Sequence, residues 1–366
     1  MSMNPDYTYQ RAGVDTEQAS RGLKGLLHWV VQTHAFRQDV GGVRLPIGYY
    51  ANVIDIGQGM GLAISTDGVG SKLLVAQLVD KYDTVGIDCV AMNANDILCV
   101  GARPLSMVDY LAVQTPHPRL LEELGKGLYE GAKQANITIA GGELAQIGEM
   151  ISGVRDGYGF DLAATCLGTV PLDRIVVGQE TQPGDVLIGL ASTGIHSNGL
   201  TLARRVLLDQ EGLRVDQHVP ELGRLLGEEL LMPTRIYVRE VCAMLEAQLP
   251  IKALLHITGD GLLNLRRIQA EMGFLIDWLP EPPPIFRLIQ ARGRVGEAEM
   301  YQVFNMGVGF CVVTTPAMAD RVRAIAGRHG VGAHVLGHAV ADAGRRIWLR
   351  PKRLVSAGNA FVPQRA

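Results

Sequence analysis

A chain of 366 residues, 47% hydrophobic and 19% charged, has room for two domains at roughly 100–200 residues each and for a large apolar core. Its net charge of −3 argues against a nucleic-acid surface, and no apolar run is long enough to span a bilayer. The 44 glycines gather in short loops rather than repeats, which favours tight turns near ligands over a disordered tract.

Residues 1–20 are polar and carry no signal-peptide pattern. The five cysteines, Cys89, Cys99, Cys166, Cys242 and Cys311, sit in apolar runs without a CxxC pair, as buried thiols of a reducing, cytoplasmic protein would. Leu23, Leu26, Leu27, Val30 and Val31 predict a helix over 19–33. Gly57, Gly59 and Gly61 do not form a dinucleotide-binding turn, because a strand rather than a helix follows them; they predict a hairpin.

The stretch Ser65–Lys72, STDGVGSK, follows an apolar run and precedes a helical one. Such a strand–turn–helix passage can set backbone N–H groups of Gly68, Val69 and Gly70, and the Lys72 ammonium, around phosphate oxygens. Asp67 beside them can hold a divalent cation, since hard cations prefer oxygen ligands. Alone, the stretch also reads as a plain glycine turn. Residues 85–100 predict a helix with Asp88, Met92, Asn95, Asp96 and Cys99 on one stripe; buried acids there need a salt bridge or a metal. A strand over 138–140 runs into Gly141, Gly142 and Glu143, again an acid behind glycines.

Residues 171–184 are polar and turn-rich and predict the boundary between domains 1–174 and 175–366. Next come a strand from Asp185, the loop Gly194, Ile195, His196, Ser197, Asn198, Gly199, and a helix led by Leu200, with Ser197 and Asn198 as capping types. A helix is expected over 233–249. A strand over 254–257 leads to Thr258, Gly259, Asp260 and Gly261 and a further helix, a second possible phosphate cradle. The tail after Leu349 is expected to be loose. The strand–helix alternation indicates an α/β or α+β protein. There is no GxxxxGK[ST], HExxH or GxSxG pattern.

The blocks TDGVGSK (66–72), DCVAMNANDILCVGARPLSMVDYLA (88–112), GGELA (141–145), FDLAATCLG (160–168), STGIHSNG (192–199), HITG (256–259), PPIFRLIQ (283–290) and EMYQVFNMGVG (299–309) resemble aminoimidazole ribonucleotide synthetase, also called phosphoribosylformylglycinamidine cyclo-ligase. The resemblance covers nearly the whole chain. It implies a two-domain α/β fold, an N-terminal mixed sheet forming a homodimer, and a C-terminal sheet flanked by helices. It implies that ATP and Mg2+ act on a ribonucleotide substrate. Asp67, Asp96 and Glu143 would ligate Mg2+; Gly68, Val69, Gly70, Lys72, Asn95, Gly141 and Gly142 would join them around ATP. Gly194, His196, Ser197, Asn198, Gly199, Thr258, Gly259 and Gly261 would lie near the ribotide or phosphates. His196, Lys72 and Asp67 would be catalytic, His196 handling a proton. The chain departs from the usual family pattern at Leu144 and Gln146, at Asp260, and in the shortened glycine segment Gly41–Gly42. The alternatives are a paralogue that activates the oxygen of another amide or carboxyl substrate, and a binding subunit without catalysis.

Overall fold

The structure is a computed structural model and describes Thr8, Ala12, Gly13 and residues 16–364. Most of the polar residues 1–15 fall outside them. Helix α1 (Thr16–Val30) and a 3-10 turn over 31–36 lead in. The first sheet holds β1 (Asn52–Gly57), β2 (Met60–Gly68), β3 (Arg103–Val113), β4 (Thr138–Gln146) and β5 (Phe160–Pro171). Its order is β1-β2-β5-β3-β4, antiparallel except for the parallel β3–β4 pair. The predicted hairpin at Gly57–Gly61 is the β1–β2 connection.

Helices α2 (Lys72–Val79), α3 (Val85–Leu98) and α4 (Pro118–Ala135) accompany this sheet. Helix α3 packs on β2 and β5, so alternate β5 residues from Phe160 to Val170 are buried beneath it. The two helices α3 and α4 touch backbone to backbone, because a Cβ on Gly86 or Gly127 would meet the other helix's main chain. Nearly every residue of α3 is buried, so it is a core helix clad on all sides rather than one with a single functional stripe.

The second sheet runs β15-β14-β13-β10-β12-β6-β11-β9. In chain order these are β6 (Val186–Ala191), β9 (Ile251–His256), β10 (Met272–Ile276), β11 (Val308–Thr314), β12 (Ala333–Ala341), β13 (Ile347–Leu349), β14 (Leu354–Ala357) and β15 (Ala360–Pro363). A small ribbon, β7 (His218–Val219) with β8 (Arg224–Leu225), stands apart. The helices are α5 (Leu200–Arg204), continued by a π-helical turn over 205–210, α6 (Leu226–Leu230), α7 (Val238–Glu246), α8 (Pro284–Gly293), α9 (Glu297–Val303) and α10 (Ala319–Arg328). The chain changes sheets between β5 and β6.

Three expectations change. The tail after Leu349 is not loose: β14 and β15 add a hairpin to β13, with Leu354 and Phe361 buried. The helix expected over 233–249 begins only at Val238, because α3 side chains capture the N–H groups of Thr234 and Tyr237 and hold that segment open. The strand expected to stop before Gly141 runs on through Gly141, Gly142 and Glu143 as β4.

Candidate active site

The site forms where β2 ends against α3 and the C-terminal end of β9. Asn93, buried on α3, holds the end of β2: its Oδ1 accepts the Asp67 N–H at 2.9 Å and its Nδ2 donates to Asp67 O at 3.0 Å. Asp67 Oδ1 accepts the Gly68 N–H at 2.7 Å. Burial and the neighbouring Asp96 carboxylate push the Asp67 carboxyl up to about 6. Past it, Val69 N–H donates to Leu162 O, Gly70 takes φ +74° with open space where a Cβ would lie, and Lys72 opens α2. The strand–turn–helix passage expected from STDGVGSK is therefore present.

Asp96 lies nearly buried on the last turns of α3. Asn95 Oδ1 accepts the Tyr237 N–H at 2.9 Å, so its Nδ2 is the donor, toward Arg235 O at 2.9 Å and His256 Nε2 at 3.4 Å. That leaves the His256 proton on Nδ1, which donates to Asp96 Oδ1 at 2.8 Å. Asp67 and Asp96 thus share one locality, with His256 steering Asp96. Asn95 is not turned toward a ligand; its amide ties α3 to the 235–237 segment.

Lys72 is placed differently from its expected role. Its ammonium is fully buried, 2.9 Å from Asp88 Oδ1, and it also donates to Met232 O. The same Asp88 oxygen accepts Thr234 N–H at 2.8 Å, Thr234 Oγ1 at 2.6 Å and Ser197 Oγ at 3.4 Å. The salt-bridge reading of Asp88 is the one the structure supports. Ser197 is spent here rather than capping α5, whose N-cap is Gly199 at φ +90°.

His196 is also buried, at φ +67°. Its Nε2 accepts the N–H of Thr193 at 3.2 Å and of Arg235 at 3.5 Å, while Nδ1 has no partner. Burial, with the nearby His256, Lys72 and Arg235, holds its pKa well below the usual histidine value. It braces the loop from inside instead of facing a ligand. Asn305 completes the bracing: its Nδ2 donates to Gly194 O and Ile195 O, and its Oδ1 accepts Ser192 Oγ. Sequence reasoning missed Asn305 as a single residue, although the block EMYQVFNMGVG contains it.

Glu143 does not join Asp67 and Asp96. Strand register sets Asp67, Ala164, Asp109 and Gly142 in one row, and Gly68, Ala163, Tyr110 and Glu143 in the next. Adjacent rows point to opposite faces. Ala164 is buried on the helix side and Tyr110 exposed on the other, so Glu143 lies on the open face, on the edge strand three strands from β2. Among the described residues no group of three or more His, Cys, Asp or Glu side chains could hold a metal ion, which corrects the expected three-carboxylate site. Gly141, Gly142, Leu144 and Gln146 lie on the same edge strand.

The turn after β9 does close on it. Gly259 faces the Asn198 amide, which brings the 194–199 and 258–261 loops together. Gly261 is packed against Tyr301 O and Phe304 O, and a 3-10 helix (Gly261–Arg267) follows in place of the expected α-helix. Arg267, which sequence reasoning did not single out, projects back toward the site. It lies over the Tyr50 ring at 4.7 Å and pairs with Asp260 at 3.3 Å, and its charge reaches both Asp67 and Asp96.

Residues 48–170 match the family model "AIR synthase related protein, N-terminal domain", and residues 182–350 match its C-terminal domain. The phosphoribosylformylglycinamidine cyclo-ligase of Methanothermobacter thermautotrophicus is 45% identical over 93% of this chain and 96% of its own. That of Thermococcus kodakarensis is 46% identical over 93% and 97%. Among solved structures, thiamine-monophosphate kinase from Stenotrophomonas maltophilia superposes with a TM-score of 0.57 at 19% identity, covering 86% of this chain and 93% of that one. T. maritima PurL complexed with ATP does so with a TM-score of 0.54 at 16% identity, covering 86% and 45%. These two likenesses speak to the fold.

Proposed function

Because this chain belongs to the phosphoribosylformylglycinamidine cyclo-ligase family, we propose that it closes the imidazole ring of a purine precursor, converting formylglycinamidine ribonucleotide and ATP to aminoimidazole ribonucleotide, ADP and phosphate. The observation that carries the reading is identity of about 45% over nine-tenths of both chains. ATP phosphorylates the formyl amide oxygen, which turns it into a leaving group; the amidine nitrogen then attacks that carbon and phosphate departs. The binding of ATP by the PurL neighbour is consistent with this use of nucleotide.

Asp67 and Asp96 suit a magnesium ion. They are like charges in one locality, one of them raised by burial and by the other, so a cation would relieve them. Two carboxylates are also the usual protein share for Mg2+, whose other positions go to water and substrate phosphate. When bound, the ion neutralises charge developing on the transferred phosphoryl group. The remaining residues position: His256 fixes the Asp96 carboxylate, Asn93 fixes the β2 end that carries Asp67, and His196 with Asn305 shape the 194–199 loop. Lys72 supports the nucleotide turn from beneath through Asp88.

The open face of the first sheet presents Leu105, Val108 and Tyr110, each more than two-fifths exposed, and a second copy of the chain would cover them in a cytoplasmic homodimer. Among the described residues no helix is long and apolar enough to cross a membrane. A coupled assay of ADP release tests the function. ADP formed with formylglycinamidine ribonucleotide, and not with close amide analogues, supports it. Nucleotide binding without turnover of that substrate refutes it.

A further inference from the structure

We propose that Arg267 is a phosphate-binding residue of this site and that Asp260 is its resting partner, displaced when a phosphate arrives. The inference rests on the cyclo-ligase reading, which brings two phosphate-bearing ligands to the site. Lys72, the cation expected there from sequence, is sealed against Asp88. Arg267 carries a charge that reaches both Asp67 and Asp96.

The geometry suits capture of an oxyanion. The guanidinium stands over the ring of Tyr50, a buried side chain whose hydroxyl donates to Asn264 O at 3.4 Å. Asn264 belongs to the same 3-10 turn as Arg267, so ring and guanidinium are held by one short segment. This cation–π contact holds the guanidinium beside the ring. One edge meets Asp260 Oδ2 at 3.3 Å through Nη2; no other hydrogen bond engages this guanidinium among the described residues. The Asp260 side chain is 56% exposed, and ion pairs that open to water are weak. A bidentate guanidinium–phosphate contact is stronger and shorter. Asp260 also answers the problem its sequence raises. An acid in a phosphate loop repels phosphate unless a cation intervenes, and Arg267 is that cation.

The test compares wild type with Arg267→Gln, Arg267→Lys and Asp260→Asn. Calorimetric titrations with ribose 5-phosphate and with ADP are run alongside turnover and thermal melting. Arg267→Gln should weaken one of the two ligands by roughly tenfold or more, with Arg267→Lys between it and wild type. Asp260→Asn should tighten the same ligand by up to about fivefold. A loss confined to ribose 5-phosphate assigns the contact to the sugar phosphate, and one confined to ADP assigns it to the nucleotide. Unchanged affinity for both in Arg267→Gln, weaker binding in Asp260→Asn, or binding of neither ligand by wild type overturns the proposal. If Arg267→Gln does not fold, Arg267→Lys carries the comparison. Turnover by wild type with unaltered affinities in the variants would sink this inference alone. Lost affinity in the variants without turnover by wild type would sink the cyclo-ligase reading alone.

Discussion

Replacing Lys72 by Met separates two roles for one ammonium. If it belongs to the buried pair, its removal strands the Asp88 carboxylate in a fully buried place. One Asp88 oxygen would keep Thr234 N–H, Thr234 Oγ1 and Ser197 Oγ; the other has no hydrogen-bond partner. Removing one member of a buried pair costs about 3–5 kcal/mol, and the three surviving donors put this case at the lower end, about 3 kcal/mol. Methionine nearly fills the space of the lysine stem, so little cavity penalty is added. A loss of that size lowers Tm by about 6–12 °C in domains of about 150–250 residues. Calorimetric melting of wild type, Lys72→Met, Asp88→Asn and the double variant measures it. The double variant should recover part of the loss, since no charge is left unpaired. A Lys72→Met protein that melts within about 2 °C of wild type, yet loses tenfold or more in ATP affinity, would refute the argument and return Lys72 to the phosphates.

Asp67→Asn should abolish turnover while raising the melting temperature of the ligand-free protein, because it removes a charge disfavoured by burial and by Asp96. The sign follows from linkage. A carboxyl raised from 3.8 to about 6 binds more protons folded than unfolded between those values, so its contribution to stability falls as pH rises through about 6. Mg2+ affinity should therefore drop below about pH 6, and a flat profile would count against Asp67 as a ligand. Glu240 on α7, buried and pushed up to about 7 by that burial, should behave alike; Glu240→Gln should stabilise the protein at pH 8 more than at pH 5, as urea unfolding would reveal. Val108→Asp, on the open face of the first sheet, should shift sedimentation from dimer to monomer, and an unchanged profile would remove that face from the interface.

The elements that sequence made legible are those whose signal is local. The β1–β2 hairpin follows from glycines flanked by two strand-like runs, and the strand–turn–helix at Ser65–Lys72 follows from a change of period across Asp67–Gly70. Side-chain direction was not legible. Glu143 adjoins a glycine pair at a strand, as Asp67 adjoins Gly68, but one residue of register in β4 sends it to the opposite face. Lys72 and His196 sit beside flexible loops in sequence, and packing from the second sheet's side buries both. Pro233–Tyr237 carries a helical pattern that Asp88 and Asn95 override by taking its N–H groups. Arg267 and His256 were missed because their partners, Tyr50 and Asp96, are more than 150 residues distant in sequence.

Asp88, Asn95 and Asp96 each reach from α3 to a segment beyond residue 195. Pulling the two sheets apart like a jaw would drag each of these groups bare into solvent at once, a steep barrier for a step repeated every turnover. Substrate entry and product exit should then proceed by peeling back short surface segments, leaving the hub unmoved, and the pace of the cycle would track the pliancy of those flaps.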